Sequence, residues 1–391
     1  MKYNFDKVID RSGTSAEKVE GLKHIWGRTD LIPLWVADMD FATAPFVTDA
    51  IRKRCENEVL GYTGKPDSYY NAIINWVKQR YDLIVTKEVI NFVPGIVPGI
   101  GMAMNCFTQK GDKVMIQPPV YHPFAWVTTR NERTLVINPL KWENGMYRMD
   151  LDAFREQIKG CKLFILCNPH NPGGVVWTEA ELRAIADICY DEKVLVFSDE
   201  IHADLTLPPH THRPFATVSE KARMNSVTFM SPSKAFNMPG LSASHALIFN
   251  EDLRKRFRIY MDAGELDMGH VFAFLSVEAA YSHGTEWLDQ CLAYIQGKID
   301  FVDEFLKKHA PKIKAIRPEA SYLVWLDCRE LELSQKDLNE FFVDKAHLAL
   351  NDGEMFGKEG IGFMRLNVAS PRCIIEKAMK QLADAYQLYI K

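Results

Sequence analysis

Residues 194–202 read Val-Leu-Val-Phe-Ser-Asp-Glu-Ile-His. The first four are apolar, as expected for a strand that is buried on both faces of a parallel sheet. Asp199 follows at the point where such a strand ends. In parallel α/β sheets, ligands bind beyond the carboxyl ends of the strands. This stretch therefore predicts an α/β fold with a ligand site beside Asp199.

Four more apolar runs flank this stretch, and helical patterns separate them. Residues 68–80 and 179–190 each place apolar side chains on one face of a helix. Asp67 or Ser68 is predicted to cap the first helix, and a capping box is predicted for the second at Thr178 and Glu181. The alternation indicates an α/β domain, and a change to long helices near residue 285 indicates a second, smaller domain. The four runs are residues 114–116, 163–166, 227–229 and 246–249.

The composition argues against several other classes of protein. The formal net charge of -4 gives no basic field for nucleic acid, and no apolar run is long enough to span a bilayer. The N-terminus carries no apolar signal core. The eight cysteines include no C-x-x-C pair, so neither a zinc site nor a disulfide framework is expected. We expect a protein of the reducing cytoplasm.

Polar residues follow four of the predicted strands where each strand ends. Taken singly, each has an ordinary explanation as a turn, a helix cap or a solvated lysine. Together they would bring a lysine, an acid, an amide, an aromatic ring and hydroxyls to one edge of the sheet. A pyridine-ring aldehyde cofactor needs such a set, with the lysine forming a Schiff base and the acid facing the ring nitrogen. The residues are Tyr121, Asn171, Asp199, Ser231, Ser233 and Lys234.

Residues 94–101, Pro-Gly-Ile-Val-Pro-Gly-Ile-Gly, follow a short apolar segment and enter an apolar helix. Pro98 is acceptable in the first turn of that helix. The free N–H groups of a helix N-terminus suit a phosphate, although a turn with close helix packing explains the glycines equally well. The stretch is neither G-x-G-x-x-G nor a Walker motif, so a dinucleotide or a nucleoside triphosphate is disfavoured.

At these residues the sequence resembles fold-type-I pyridoxal-phosphate (PLP) enzymes, the class I and II aminotransferase superfamily. It is similar above all to the MalY/PatB-type C–S lyases, which include cystathionine β-lyases and cystalysin. The resemblance implies an α/β fold with a large, mixed and mostly parallel sheet domain over residues 46–284. It implies a smaller α+β domain formed by residues 1–45 and 285–391. The segments that carry it are residues 35–41, 61–64, 198–202, 231–237 and 362–368.

The resemblance also implies how PLP is held. Lys234 binds it covalently, Asp199 pairs with the pyridine nitrogen, and Glu200 faces away. Tyr121 stacks on the ring, and Asn171 hydrogen-bonds the 3′-oxygen. The remaining residues hold the phosphate or lie beneath the ring; they are Gly95, Ile96, Val97, His202, Ser231, Ser233 and, reaching across from the partner subunit of a homodimer, Tyr62.

Two positions depart from many aminotransferases. His202 stands where they carry a tyrosine, and Ser242 stands where they carry an arginine. The histidine is typical of the C–S lyase branch, and the serine implies a phosphate that is less strongly charge-paired. His202 could also suggest a metal site together with His210 and His212, but their spacing matches no standard motif. We expect a structural histidine and no metal.

The resemblance implies a substrate site and a reaction. Arg365 clamps the substrate α-carboxylate as a bidentate fork, and Trp35 and Ala37 lie where the N-terminal segment closes over the substrate. The expected reaction is β-elimination from cystathionine or a related cysteine S-conjugate, with Lys234 as general base. An aminotransferase uses the same groups and stays open as an alternative. Some relatives also restrain a transcription activator, so a regulatory protein partner is a separate expectation.

Overall fold

The computed structural model describes residues 2–389. Fifteen strands occur in this part of the chain, and seven of them form a central sheet. The strands are β1 Ile32–Pro33, β2 Ile90–Val93, β3 Lys113–Ile116, β4 Thr134–Ile137, β5 Lys141–Glu143, β6 Met146–Arg148, β7 Cys161–Cys167, β8 Leu195–Asp199, β9 Ser226–Met230, β10 Ser244–Leu247, β11 Lys314–Ile316, β12 Leu323–Asp327, β13 Leu348–Ala349, β14 Asn351–Asp352 and β15 Phe363–Asn367.

Helices cover both faces of the central sheet and build much of the C-terminal region. Within residues 2–389, no helix is both long and apolar enough to cross a membrane. The α-helices are α1 Glu17–Trp26, α2 Pro45–Cys55, α3 Asp67–Tyr81, α4 Ile96–Phe107, α5 Pro123–Arg130, α6 Leu151–Gln157, α7 Glu179–Asp191, α8 Glu220–Met224, α9 Glu251–Asp262, α10 Val271–His283, α11 Thr285–His309, α12 Gln335–Glu340 and α13 Arg372–Tyr389.

The order of strands in the central sheet is β2-β10-β9-β8-β7-β3-β4. The five strands from β9 to β4 are parallel, whereas β10 is antiparallel to both of its neighbours. The predicted mixed, mostly parallel α/β sheet is therefore confirmed. β10 is nevertheless buried along its whole length. Its apolar run therefore indicates that both faces of the strand are covered, but it does not indicate whether the strand is parallel to its neighbours.

Two hydrophobic cores explain why the central strands are apolar throughout. Leu163 and Ile165 of β7 pack into one core together with residues of α4 and α9. Phe164 and Leu166 of the same strand pack into another core with residues of α6 and α7. Because successive side chains of a strand point to opposite faces, both faces must be apolar when both are covered.

Two predicted helices are confirmed as α3 and α7, but only one of the predicted caps is present. Thr178 and Glu181 form a reciprocal capping box at the start of α7. The prediction for α3 was wrong, because Pro66 is its N-cap and no side chain caps it. Asp67 instead bonds the Lys87 ammonium at 2.5 Å.

A four-stranded antiparallel sheet in the C-terminal region has the order β11-β12-β15-β14. β1, from the N-terminal part of the chain, pairs in parallel with β13. The N-terminal part thus contacts the C-terminal region directly, as an N-terminal contribution to a small domain requires. The predicted boundaries at residues 45 and 285 stay a prediction.

Candidate active site

A cavity of about 210 Å³ lies at the carboxyl ends of β7, β8 and β9, beside the N-terminus of α4. Strand ends that are far apart in sequence meet here because the sheet aligns them. Cys167 at the end of β7, for example, lies opposite Asp199 at the end of β8. The predicted site residues that line the cavity are Ala37, Gly95, Ile96, Val97, Tyr121, Asn171, Asp199, His202, Ser233 and Lys234.

Lys234 projects into this cavity from the loop that follows β9. Its Nζ donates a hydrogen bond to the backbone carbonyl of Ala37 at 2.6 Å. Burial lowers the pKa of this amine to about 8, and the charge of Arg365 acts in the same direction. Near neutral pH, the site therefore contains an appreciable fraction of neutral amine, which is the form that acts as nucleophile and base.

Asp199 provides a carboxylate at the floor of the cavity. Burial raises its pKa to about 7, although the backbone N–H of Ile201 donates to Oδ1 at 3.0 Å. A positively charged group beside it would reverse much of that shift. Glu200 points elsewhere, where it accepts hydrogen bonds from Ser198 Oγ and the Phe215 N–H, both at 2.8 Å.

Arg365 on β15 places a guanidinium next to the cavity. The side chain is only 3% exposed, and its Nη1 donates to Asn171 Oδ1 at 3.1 Å. Its Nη2 donates to the carbonyl of Trp35 at 3.0 Å and to Asn351 Oδ1 at 2.5 Å. Among the residues that the structure describes, no carboxylate forms a salt bridge with Arg365, and its Nε has no partner.

Such a guanidinium is suited to an anionic ligand. A buried charge without a counter-ion is costly, and burial lowers the pKa of Arg365 to about 10. A planar fork of donors matches a carboxylate in geometry as well as in charge. Phe356 closes one side, with its ring centroid 4.9 Å from the guanidinium carbon.

The N-terminus of α4 forms a cradle for an anion. Gly95 is the N-cap with φ 146°, and no side chain caps this end. The free backbone N–H groups of Ile96 and Val97 and the helix dipole both favour an anion here. Ser233 lines the same cavity, and Ser231 supports it from behind through a 2.9 Å hydrogen bond between the two hydroxyls.

His202 and Tyr121 complete the wall of the cavity. Burial lowers the pKa of His202 to about 3, so its imidazole is neutral. Burial and the nearby Asp199 raise the pKa of the Tyr121 phenol, so its ring is an uncharged surface. His212 is hydrogen-bonded to Glu200, and no group of three or more metal-binding side chains is found between residues 2 and 389.

Tyr62 and Trp35 are predicted site residues whose side chains point away from this cavity and from the residues that line it. Tyr62 is 99% exposed. The Trp35 indole packs on α1, where its N–H donates to the Lys18 carbonyl at 3.0 Å, and Trp35 reaches the site through its own carbonyl, which binds Arg365. The predicted roles of these residues stay predictions.

Several residues at the site carry no motif in the sequence. Asn351 and Phe356 surround Arg365, and the Tyr322 hydroxyl donates to the carbonyl of Ala37 at 3.0 Å. The backbone N–H of Asn171 contacts the Cys167 sulfur at 3.3 Å. Tyr322 directly precedes the apolar residues Leu323, Val324 and Trp325, so nothing in the sequence distinguishes it from a core residue.

Comparisons with known proteins agree with this geometry. Cystathionine β-lyase PatB of Bacillus subtilis is 38% identical over 384 residues, covering 98% of this chain and 99% of that protein. Cystalysin of Treponema denticola, solved with pyridoxal 5′-phosphate, has a TM-score of 0.96 and 33% identity, with 100% of both chains covered. A PLP-bound C–S lyase of Staphylococcus hominis has a TM-score of 0.91 and 35% identity, with 98% of both chains covered.

A family model provides a separate comparison. The model of aminotransferase class I and II matches residues 29–382. That range contains all of the predicted site residues, from Trp35 to Arg365. The chain belongs to the class I and II aminotransferase family.

Proposed function

We propose that this chain is a PLP-dependent C–S β-lyase that converts cystathionine or a related cysteine S-conjugate into a thiol, pyruvate and ammonia. The observation that carries the proposal is the Arg365 guanidinium, buried beside the cavity of Lys234 and Asp199 with no carboxylate partner among residues 2–389. The names of similar proteins support it, since they include a cystathionine β-lyase and a C–S lyase.

The cavity fits PLP part by part. Asp199, whose pKa is raised by burial, would be stabilised by a protonated ring nitrogen. The uncapped N-terminus of α4 with Ser233 would hold the phosphate. Tyr121 and Asn171 would contact the ring, and Lys234 would bind the aldehyde carbon. When bound, the cofactor supplies an electron sink for negative charge that develops at the substrate Cα.

The residues of the chain supply binding and proton transfer. Arg365 binds the α-carboxylate of the substrate, and Asn171 keeps the guanidinium oriented. The Lys234 Nζ, when it is not linked to the cofactor, would remove the proton from Cα as a general base. With PLP bound, Asp199 would keep a proton on the pyridine nitrogen. Loss of the β-substituent as a thiolate, followed by addition of water, accounts for all three products.

We infer that the enzyme is a homodimer with shared sites. Tyr62 is 99% exposed, and the neighbouring Val59 and Leu60 are 72% and 60% exposed. Such an apolar surface favours a protein partner, and Tyr62 of one subunit would complete the phosphate site of the other. Hybrids made from inactive Tyr62→Ala and Lys234→Ala subunits should regain activity, because one of their sites is intact. Subunit exchange without recovery would place Tyr62 in its own site.

We place the enzyme in the cytoplasm. All eight cysteines have free thiols, and five of them are buried. Buried thiols of this kind behave as small apolar side chains and are typical of a reducing compartment.

The product pair tests the proposed reaction directly. Purified protein supplied with PLP should release pyruvate and homocysteine from L-cystathionine in equal amounts. L-Alanine, which has no β leaving group, serves as the control and should show only slow transamination. Efficient transamination of ordinary amino acids, without pyruvate from any cysteine derivative, would identify an aminotransferase instead.

A further inference from the structure

Residues 35–41, which we call the covering segment, present two backbone carbonyls to the two cations of the site. The carbonyl of Trp35 accepts from Arg365 at 3.0 Å, and the carbonyl of Ala37 accepts from Lys234 at 2.6 Å. Each cation thus receives an oxygen that carries no full charge. Arg365 therefore keeps its net charge for a substrate carboxylate, and a fraction of the Lys234 amine can be neutral and act as a base.

The covering segment also contains two carboxylates, and neither of them is bound by Arg365 or Lys234. Asp38 and Asp40 contact the Arg11 guanidinium at 2.6 and 3.0 Å. Lys18 of α1 contacts Asp40 at 2.8 Å and Asp38 at 3.6 Å. Because Lys18 is fully buried, its ammonium depends on these two carboxylates, and they depend on it.

Helix α1 also supports the start of the covering segment. The Trp35 indole donates to the Lys18 carbonyl at 3.0 Å. Gly21, one turn further along α1, allows this approach, since a Cβ there would lie 3.0 Å from Trp35 Cζ2. Helix α1 therefore supports two parts of the covering segment. It holds Trp35, whose carbonyl binds Arg365, and it binds Asp38 and Asp40, which follow the Ala37 carbonyl that binds Lys234.

The path of the covering segment has additional anchors that are independent of charge. Asn367 Nδ2 donates to the carbonyls of Val36 and Asp38 at 2.6 and 2.7 Å. Asn237 accepts from the N–H of Met39 at 3.0 Å. Removal of Lys18 should therefore leave the segment in place while freeing negative charge near the site.

We propose that Lys18 is a positioning residue for Lys234: it binds Asp38 and Asp40 on the outer side of the covering segment, so that the Ala37 carbonyl, and not a carboxylate, faces the reacting amine. This inference rests on the proposed function only in taking Lys234 as the reacting group. The charged groups that act on Lys234 are Asp38 of the covering segment, Asp199 of β8 and Arg365 of β15. Of these, only Asp38 is bound by Lys18.

Titration of the Lys234 amine in cofactor-free protein tests the proposal without any assay of activity. The amine can be followed by competitive labelling with acetic anhydride over a range of pH, with the Lys234 peptide quantified by mass spectrometry. In Lys18→Met, the less neutralised Asp38 should stabilise the ammonium and raise the labelling midpoint by about one pH unit. Lys18→Arg should restore the midpoint. Lys255→Met, which removes an exposed lysine paired with Glu251, should leave it unchanged.

Kinetics of the loaded enzyme give a second readout. Lys18→Met should lower kcat about 10-fold while KM changes less than about 3-fold, because a larger protonated fraction of the Lys234 amine slows proton removal more than it weakens carboxylate binding. If the protein proves not to be a lyase, the labelling experiment still decides the role of Lys18, since it needs neither cofactor nor substrate.

A second variant covers the case in which Lys18→Met does not fold. Asp40→Asn leaves Asp38 as the one carboxylate that Lys18 and Arg11 share. Asp38 should then be neutralised more completely, so the labelling midpoint of Lys234 should fall. A folded Lys18→Met protein with an unchanged or lowered midpoint would overturn the proposal. If only Asp40→Asn folds, an unchanged or raised midpoint in that variant would do the same.

Discussion

The floor and the roof of the cavity are built in different ways. The floor consists of strand ends of one sheet, with Asp199 at the end of β8 and Lys234 in the loop after β9. The roof consists of the covering segment and Arg365, and the hydrogen bond between Trp35 and Arg365 joins residues 330 positions apart. The general rules of α/β sheets place the floor, whereas only tertiary contacts place the roof. We infer that the floor serves the cofactor and the roof serves the substrate.

The largest effect is expected from the floor at Lys234. Lys234→Ala should lower the rate of pyruvate formation at least about 1,000-fold, because both the cofactor linkage and the general base are lost. Steady-state pyruvate release with saturating PLP measures this. Near wild-type turnover would show that another group removes the proton.

Asp199→Ala should have the next largest effect. Loss of the carboxylate lowers the pKa of the ring nitrogen, so that less of the cofactor is protonated there. We therefore expect kcat to fall about 100-fold or more. PLP binding, measured by absorbance titration, should change much less than kcat. Retained cofactor together with normal turnover would contradict the role of Asp199.

In the roof, Arg365→Lys should damage all amino-acid substrates alike. A lysine cannot reproduce the bidentate fork, so kcat/KM should fall about 10- to 100-fold. The ratio of elimination to transamination should not change, because it depends on the β-substituent and not on the shared α-carboxylate. A variant that altered this ratio would mean that the roof also selects the reaction.

An effect on stability, and not on turnover, separates Asp199 from the roof. Burial raises the pKa of Asp199 from its ordinary 3.8 to about 7. Between these values the folded protein binds more protons than the unfolded chain, so this residue makes cofactor-free protein less stable as pH rises, by roughly 4 kcal/mol at most. Asp199→Asn should therefore stabilise cofactor-free protein at pH 8 but not at pH 4, as measured by urea unfolding. An equal effect at both pH values would contradict the buried carboxylate.

The difference between floor and roof also explains what the sequence could predict. The apolar strands and the polar residues after them predict the sheet, the site at its edge and the groups at the floor, because all follow from short stretches of sequence. Arg365 and Ala37 were found only through a resemblance to known enzymes. Their positions depend on the pairing of β1 with β13 and of β12 with β15, and no local pattern encodes these contacts.

The burial of Lys18 could not be predicted from the sequence. In Glu17-Lys18-Val19-Glu20 it reads as a solvated lysine between two acids, yet it is fully buried against Asp38 and Asp40. Asn351 likewise gives no signal in the sequence, although it bonds Arg365. Pairing between buried charges depends on the tertiary fold and not on the neighbouring residues.

Borohydride reduction of the PLP-loaded protein, followed by peptide mapping, tests the central assignment most directly. We predict a yellow protein in which reduction without substrate fixes one pyridoxyl group, and fixes it on Lys234. Lys234→Ala should carry no such label. A pyridoxyl group on any other lysine of the wild-type protein would contradict the assignment of the floor.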